Sequence, residues 1–280
     1  MIEKVEEVVL ENRRLKKKEI ARMCELSETS VLRVLHDHLH MSKVSARWVP
    51  RNLSAIQKRE RVRACRDFLN LCGGDPDDVI GKIVTGDETW VHLYDPETKQ
   101  ESMEWRRKEE GPPKKFKVQP SAGKVMATIF WDQKGILTID YLEKGRTVTG
   151  QYYADILKQL RDKIKEKRRG ALTSKVLLLH DIAPAHTSNI GRAAILECGF
   201  ETIDHPLPPY SPDLAPSDYF LFPALKKLLR GRHLQSLEDL KAAVNDHFDS
   251  KPENYFFDGL KKLVERCHKC IDVLGDYIEK

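Results

Sequence analysis

The chain has 280 residues, of which 40% are hydrophobic and 32% charged, and its formal net charge is +5. This composition is typical of a folded protein, and the length allows one large core plus a smaller domain. No apolar stretch reaches the roughly 18 residues that a membrane-spanning helix needs, and the polar start at residues 1–4 does not resemble a signal peptide. Six scattered cysteines favour reduced thiols over a disulfide framework. We therefore expect a globular protein of the cytosol or nucleus.

Basic residues cluster in three stretches of the sequence. Residues 43–66 hold eight Lys and Arg against one acidic residue, and residues 106–124 and 158–169 each hold seven against two. Contacts between such residues and phosphates release condensed counterions, so the stretches favour a polyanionic partner such as double-stranded DNA. A single stretch is better explained as a solvated helix face, but three together favour the nucleic acid.

Residues 1–41 predict a small all-α domain. Apolar residues at helical spacing indicate helices at 3–14, 16–24 and 28–39, the last begun by Ser27 as its N-cap. The tight turn between the second and third helices is typical of a helix-turn-helix. On the third helix Thr29, Ser30 and Arg33 point away from the apolar stripe, and we expect them to contact DNA. A plain three-helix bundle would show the same apolar spacing, so this pattern alone leaves both interpretations open.

The rest of the chain predicts a basic linker at 42–78 and an α/β domain with a mixed sheet at 79–280. In the linker, Pro50 breaks the helical pattern and a basic helix follows at 54–71. β-Branched and aromatic runs predict the strands, and helical spacing predicts the helices. The strands are expected at 80–86, 90–94, 125–131, 136–142, 176–180 and 201–204, and the helices at 150–167, at 187–198 and over the C-terminal seventy residues. The second and third strands are separated by residues 95–123, a length of loop that is usually functional.

Three aspartates are predicted to lie where elements end. Asp87 follows the first strand, Asp181 follows the apolar run 176–179, and Asp218 opens a helical segment after Pro216. Carboxylates at the carboxyl ends of strands converge on the crevice where α/β sheets bind ligands. Three such oxygen donors could hold two hard cations for phosphodiester chemistry. Each aspartate taken singly is better explained as a cap or turn residue.

Three segments that contain these aspartates closely resemble the signature stretches of mariner transposases. They are VTGDETW at 84–90, HDIAPAH at 180–186 and YSPDLAPSDY at 210–219, and WVPR at 48–51 and FWD at 130–132 add to the resemblance. The resemblance implies an RNase H-like catalytic core in which Asp87, Asp181 and Asp218 bind two Mg²⁺ ions, with Mn²⁺ as a possible substitute. It also implies a nuclear homodimer that cleaves DNA at terminal inverted repeats and joins the ends to TA dinucleotides.

The resemblance assigns further roles outside the aspartates. The stretch 95–123, called the clamp loop below, resembles the loop by which such transposases hold a partner subunit across the paired DNA ends. Trp48, Pro50 and Trp105 are accordingly expected to contact the partner subunit. The remaining expected DNA contacts are basic residues of the linker and the clamp loop, namely Arg47, Arg51, Lys114, Lys115 and Lys117.

The sequence also departs from the mariner pattern in three ways. One helix-turn-helix precedes Trp48 where the family carries two, so an N-terminally shortened protein with impaired end recognition is expected. Ile182 follows the second aspartate where the family usually has Asn, and 36 residues lie between Asp181 and Asp218, two more than usual. The alternatives are a DNA-binding protein that dimerises on repeats without catalysis and an RNase H-like nuclease unrelated to transposition. The intact triad favours the transposase, because DNA binding alone would not require three aspartates.

Overall fold

The computed structural model describes residues 1–45, 49–107, 123–143, 145–203, 211–252 and 254–278. Internal contacts divide the chain into two units, Met1–Val49 and Pro50–Lys280. The predicted division at 41 and 78 stays a prediction, but residues 50–78 of the predicted linker belong to the larger unit. No helix of the described residues is long and apolar enough to cross a membrane.

The smaller unit is a bundle of three short helices. These are α1 (Ile2–Glu11), α2 (Lys17–Cys24) and α3 (Glu28–Arg33), and α3 continues into a π-helical turn at Val34–His38. Ser27 caps α3 as predicted, its hydroxyl oxygen accepting a hydrogen bond from the Ser30 backbone N–H at 3.0 Å. The three helices share one core, which consists of Val5, Ile20, Ala21, Cys24, Val31 and Val34.

The larger unit is built on a five-stranded mixed sheet. Its strands are β1 (Ile83–His92), β2 (Lys124–Asp132), β3 (Gly135–Leu142), β4 (Val176–Leu179) and β5 (Phe200–Thr202). Their order is β3-β2-β1-β4-β5, in which the first three strands are antiparallel neighbours while β4 runs parallel to β1 and to β5. The predicted α/β class with a mixed sheet is therefore confirmed.

Helices cover both faces of this sheet. One face packs against α6 (Gly150–Lys167) and α8 (Asn189–Glu197), which follows the short α7 (Pro184–Thr187). The other face packs against helices from both ends of the unit. Those helices are α4 (Ala55–Cys72), α5 (Pro76–Lys82), α9 (Phe222–Leu229), α10 (Leu237–Asp249) and α11 (Asn254–Asp272). Because α4 lies against α11, the basic helix of the predicted linker is part of the folded core.

The first strand differs from its prediction. Residues 80–82 end α5, which Asp75 caps and Pro76 begins, and a single strand then runs from Ile83 to His92. The sequence indicated two strands, at 80–86 and 90–94, separated by residues 87–89. In the structure Gly86 pairs with Phe130 and Asp87 with Ile129 on β2. Asp87 therefore lies in the middle of a strand, and its predicted position at a strand end was wrong.

Candidate active site

The three predicted aspartates line one cavity of about 460 Å³. Asp87 comes from the middle of β1, and Asp181 follows the end of β4 by two residues. β1 and β4 are parallel neighbours, with Thr85 paired to Leu179. Asp87 and Asp181 each follow this pair by two residues, so the register of the two strands brings their carboxylates to the same end of β4. The fold thus brings together side chains that are 94 residues apart in the sequence.

Asp218 reaches the cavity from a π-helical turn at Ser217–Leu221. Its backbone N–H donates to the Ala215 carbonyl at 3.0 Å. The preceding residue is fixed by the sheet, because the indole N–H of the fully buried Trp131 donates to the Ser217 hydroxyl at 3.1 Å. This bond joins the third aspartate to β2, so the position of Asp218 depends on sheet packing as well as on the turn.

Burial and mutual repulsion shape the charge of the cavity. Burial, together with repulsion from the neighbouring carboxylates of Asp218, Glu88 and Asp181, raises the pKa of Asp87 to about 8 and outweighs one backbone hydrogen bond that lowers it. Burial likewise raises the pKa of Asp218 to about 6, with Asp181 adding repulsion and the ammonium of Lys226 opposing it. Ionising all three aspartates at once is therefore unfavourable without an added counter-charge, which is the electrostatic setting of a cation site.

His186 joins two carboxylates of the cavity. Its side chain is 2% exposed, with Nδ1 lying 2.7 Å from Asp181 Oδ1 and Nε2 lying 3.4 Å from Glu88 Oε1. Burial opposes protonation of the ring, but the bonds to Asp181 and Glu88 outweigh it and raise the pKa of His186 to about 10. Burial also raises the pKa of Asp181, yet the hydrogen bonds from His186 and from the Ala183 backbone N–H bring it below the usual value. We conclude that His186 fixes the orientation of the Asp181 carboxylate.

Sequence reasoning missed His186 and Glu88 as site residues. The available signal for His186 was a histidine five residues after Asp181, within the short helix α7. For Glu88 it was a second acid next to Asp87 in the middle of a strand that holds no other acidic residue. Neither pattern shows by itself that the two side chains meet, because they lie 98 residues apart in the sequence.

The residues of the cavity fit a divalent cation by their chemistry. Carboxylate oxygens are the ligands that Mg²⁺ and Mn²⁺ prefer, and a bound cation would relieve the repulsion that raises the pKa of Asp87. Among the described residues no three acidic, His or Cys side chains form a closed ligand cluster. One oxygen of Asp181 is held by His186 and Ala183, and one oxygen of Asp87 accepts from the Glu88 backbone N–H at 2.7 Å. Each carboxylate keeps a second oxygen for a ligand.

Ile182 lies beside the aspartate cavity. Its side chain lines a neighbouring cavity of about 340 Å³, together with apolar residues of α8 such as Ile195 and Leu196. The expected loss of an amide near the metal therefore stays a prediction, and the structure shows that the isoleucine has apolar neighbours there.

The expected DNA contacts and subunit contacts fall into two groups. The exposed residues are Thr29, Arg33, Pro50, Arg51 and Trp105, and the relative exposure of Trp105 is 104%. Ser30 is half-buried, and its hydroxyl lies 2.8 Å from that of Ser27. Pro50 also lines the aspartate cavity. The other expected contacts lie outside the described residues, namely Arg47, Trp48, Lys114, Lys115 and Lys117.

The basic stretches offer fewer side chains for contact with DNA than their composition suggests. Arg61, counted in the stretch 43–66, is fully buried and paired with Asp213. Within 158–169, Lys158, Lys163 and Lys165 form ion pairs with acids of α6 and α8, at 3.9, 2.8 and 3.8 Å. Net charge counted along a sequence therefore overstates what these stretches offer to a phosphate backbone.

Comparisons with known proteins place this fold and site in a family. A family model described as "Transposase (partial DDE domain)" matches residues 95–174, a segment that includes none of the three aspartates. "Mariner Mos1 transposase" of Drosophila mauritiana is 31% identical over 266 residues, which cover 94% of this chain and 74% of that protein. "Histone-lysine N-methyltransferase SETMAR" of Homo sapiens is 30% identical over 263 residues. These cover 94% of this chain but 37% of SETMAR, so the chain spans little more than a third of that relative.

Solved structures agree with the sequence relatives. "Crystal structure of the mariner Mos1 paired end complex with Mg" matches with a TM-score of 0.81 and 30% identity, covering 100% of this chain and 80% of that one. "Crystal structure of the catalytic domain of Mos1 mariner transposase" matches with a TM-score of 0.67 and 31% identity, covering 83% of this chain and 100% of that one. The larger unit thus has the RNase H-like fold of that catalytic domain. The chain belongs to the mariner family of DNA transposases, enzymes that depend on a divalent metal.

Proposed function

We propose that this chain is a transposase subunit that cleaves DNA at the terminal inverted repeats of its element and joins the ends to TA dinucleotides. The observation that carries the proposal is the meeting of Asp87, Asp181 and Asp218 in one cavity. Three carboxylates from β1, the end of β4 and a π-helical turn have no evident structural reason to share one cavity. Repulsion between them costs stability, and binding a cation would offset that cost.

In this proposal the three aspartates hold two Mg²⁺ ions, for which Mn²⁺ can substitute. A pair of bound metal ions neutralises charge on the phosphate and activates the attacking oxygen. The chain itself supplies the position of each carboxylate, through β1 for Asp87, through His186 for Asp181 and through the Trp131–Ser217 bond for Asp218. Two solved mariner structures whose names include Mn or Mg support the choice of ions.

The same proposal assigns the partners. Thr29, Ser30 and Arg33 on α3 would read base edges of the repeat, and the exposed linker residue Arg51 would contact phosphates. Two copies of the chain would act together on two DNA ends, as the name "paired-end complex" of a matched Mos1 structure indicates for that protein. The site of action would be the nucleus, where a transposase meets genomic DNA.

A plasmid assay tests this function against DNA binding without catalysis. The plasmid carries a marked segment between mariner ends, and the excised product and the sequences of its new junctions are analysed after incubation with Mg²⁺. We expect strand cleavage at the ends and junctions at TA, and both should be lost with Asp181→Ala. Retarded DNA without any cleavage by the wild type, over the full range of Mg²⁺ and Mn²⁺ concentrations, would contradict the proposal and favour the non-catalytic alternative.

A further inference from the structure

Arg61 is a charged residue buried within the larger unit. Its guanidinium is 0% exposed and binds Asp213 with both arms, Nη1 to Oδ1 at 3.0 Å and Nη2 to Oδ2 at 2.6 Å. The same group donates to the Ser211 hydroxyl through Nη1 and to the Gly275 carbonyl through Nε at 3.0 Å. The planar fork of an arginine makes this set of bonds possible, and a lysine could not reproduce it.

These bonds join three segments that are distant in the sequence. Arg61 belongs to α4, Asp213 to the turn 211–214, and Gly275 to the C-terminal segment after α11. Asp213 is held from two further sides, because the Ile278 backbone N–H donates to its Oδ2 and Arg266 donates to its carbonyl, each at 3.0 Å. The turn is therefore anchored to α4, α11 and the C-terminal segment at once.

The anchored turn leads directly into the third aspartate. Ser211, Pro212, Ala215 and Pro216 line the aspartate cavity. Within this segment the Leu214 N–H donates to the Ser211 carbonyl at 2.9 Å, and Leu214 is fully buried. The Asp218 N–H then donates to the Ala215 carbonyl. A continuous path of short contacts thus runs from Arg61 to the backbone of Asp218.

We propose that Arg61 is a positioning residue of the active site, whose fork to Asp213 fixes the cavity wall 211–216 and thereby the carboxylate of Asp218. The inference rests on the proposed metal-binding role of Asp218. Stability alone explains the pair poorly, since a buried ion pair can often be replaced by apolar residues without loss of stability. A role in holding one arrangement of the wall accounts for a charge that is kept fully buried beside the cavity.

A partly buried arginine fork elsewhere in the larger unit provides a control. Arg168 binds Asp132 through Nε to Oδ2 at 2.7 Å and through Nη2 to Oδ1 at 3.0 Å, with side chains that are 18% and 10% exposed. This pair lies at the turn after β2 and lines a different cavity. The substitutions Arg61→Lys and Arg168→Lys therefore each break a two-bond fork to an aspartate, and only the fork of Arg61 adjoins the cavity wall.

The experiment measures Mn²⁺ binding to the DNA-free protein by electron paramagnetic resonance of the unbound ion, with thermal unfolding recorded for every variant. Wild type and Asp218→Asn define the binding that depends on the third aspartate. We expect Arg61→Lys to raise the Mn²⁺ concentration for half-saturation by about 10-fold or more. Arg168→Lys should lower the unfolding temperature and leave Mn²⁺ binding unchanged.

The outcomes separate this inference from the proposed function. If folded Arg61→Lys binds Mn²⁺ as the wild type does while Asp218→Asn binds it less, the positioning role of Arg61 is overturned and the metal site is not. Undiminished binding in Asp218→Asn would overturn the metal site itself, and with it the inference. If Arg61→Lys does not fold, Ser211→Ala removes one contact and keeps the charge pair. Weaker Mn²⁺ binding by Ser211→Ala supports the proposal, and unchanged binding refutes it.

Discussion

Asp87 occupies a place where an ionised carboxylate is unfavourable. It is largely buried in the middle of β1, close to Glu88 and to two further aspartates, and its pKa is raised to about 8. A folded protein keeps such a group when function requires the charge, because active sites commonly sacrifice stability for chemistry. A single substitution can separate the cost of this carboxylate in stability from its contribution to function, since it removes the charge while keeping the shape of the side chain.

Asp87→Asn is expected to stabilise the metal-free protein by about 0.5–2 kcal/mol. The amide keeps an oxygen for the Glu88 backbone N–H and removes the repulsion within the cavity. In the same variant the rise in unfolding temperature that Mg²⁺ gives the wild type should be lost, because stabilisation by a ligand requires its binding site. Thermal unfolding with and without Mg²⁺ measures both effects, and a destabilised Asp87→Asn that still responds to Mg²⁺ would contradict the cation site.

The stability of the metal-free wild type should also depend on pH through Asp87. Its folded pKa of about 8 lies above the value of about 3.9 in an unfolded chain, so the folded state binds the extra proton between these values. The resulting stability is fully present below about pH 4 and is lost as the pH rises through 8. Between pH 6 and pH 9 the unfolding temperature of the wild type should fall more than that of Asp87→Asn. Parallel curves for the two proteins would refute the assignment.

His186 offers a second test at this scale, with two variants that each keep one of its contacts. Asn places its amide nitrogen near the position of Nδ1, and Gln places its nitrogen near that of Nε2. His186→Asn should keep the bond to Asp181, whereas His186→Gln should lose it and raise the Mg²⁺ requirement for cleavage by about 10–100-fold. The Mg²⁺ dependence of the cleavage rate distinguishes them. An equal requirement in the two variants would show that the bond to Asp181 does not matter.

At the scale of elements, local signals predicted local structure well. The cap at Ser27, the helix Gly150–Lys167 and the hairpin of β2 and β3 follow from side-chain chemistry and spacing within a few residues. The unbroken strand β1 could not be predicted in this way. Gly and Asp are typical of turns, but at Gly86 and Asp87 the pairing with β2 overrides that tendency. The burial of Arg61 and the meeting of His186 with Glu88 could not be predicted either, since both depend on partners distant in the sequence.

Gly86 is required in β1 because a neighbouring ring occupies the space of a side chain. A Cβ at this position would lie 2.3 Å from the ring of the fully buried Phe130, which cannot move without disturbing the core. Gly86→Ala should therefore destabilise the protein by about 1–3 kcal/mol. It should also weaken Mg²⁺ binding through the adjacent Asp87. Gly74→Ala is the control, because a Cβ there meets nothing within 4 Å, and equal unfolding temperatures of the two variants would contradict this packing argument.

At the scale of the whole molecule, the proposed reaction brings two subunits and two DNA ends together. The clamp loop is proposed to join two subunits, and within its described part Trp105 exposes its whole side chain and Met103 is 79% exposed. Large exposed aromatic side chains are unfavourable in water and are common anchors of protein interfaces. The clamp loop begins next to α9, where the Arg230 guanidinium lies 2.9 Å from the Glu101 carboxylate. This ion pair attaches the start of the loop to the rest of the larger unit.

Trp105→Ala should reduce complexes that contain two DNA ends and leave the binding of a single end unchanged. The substitution removes an exposed anchor and touches no residue of the aspartate cavity, so unfolding temperature should not change. Native gel mobility with labelled ends separates the two kinds of complex, and Lys99→Ala in the same loop serves as a control for a lost charge. Undiminished two-end complexes with Trp105→Ala would remove this residue from the proposed interface.

Asp87, Asp181 and Asp218 are proposed to form one metal-dependent site that cleaves DNA. The most direct test measures the rate of strand cleavage at a mariner end in Mg²⁺ for the wild type and for Asp218→Ala, after unfolding curves have shown that both are folded. The cleavage rate should fall by several orders of magnitude in the variant, because one cation loses an oxygen ligand. Equal cleavage by the two proteins would show that Asp218 is not part of the site.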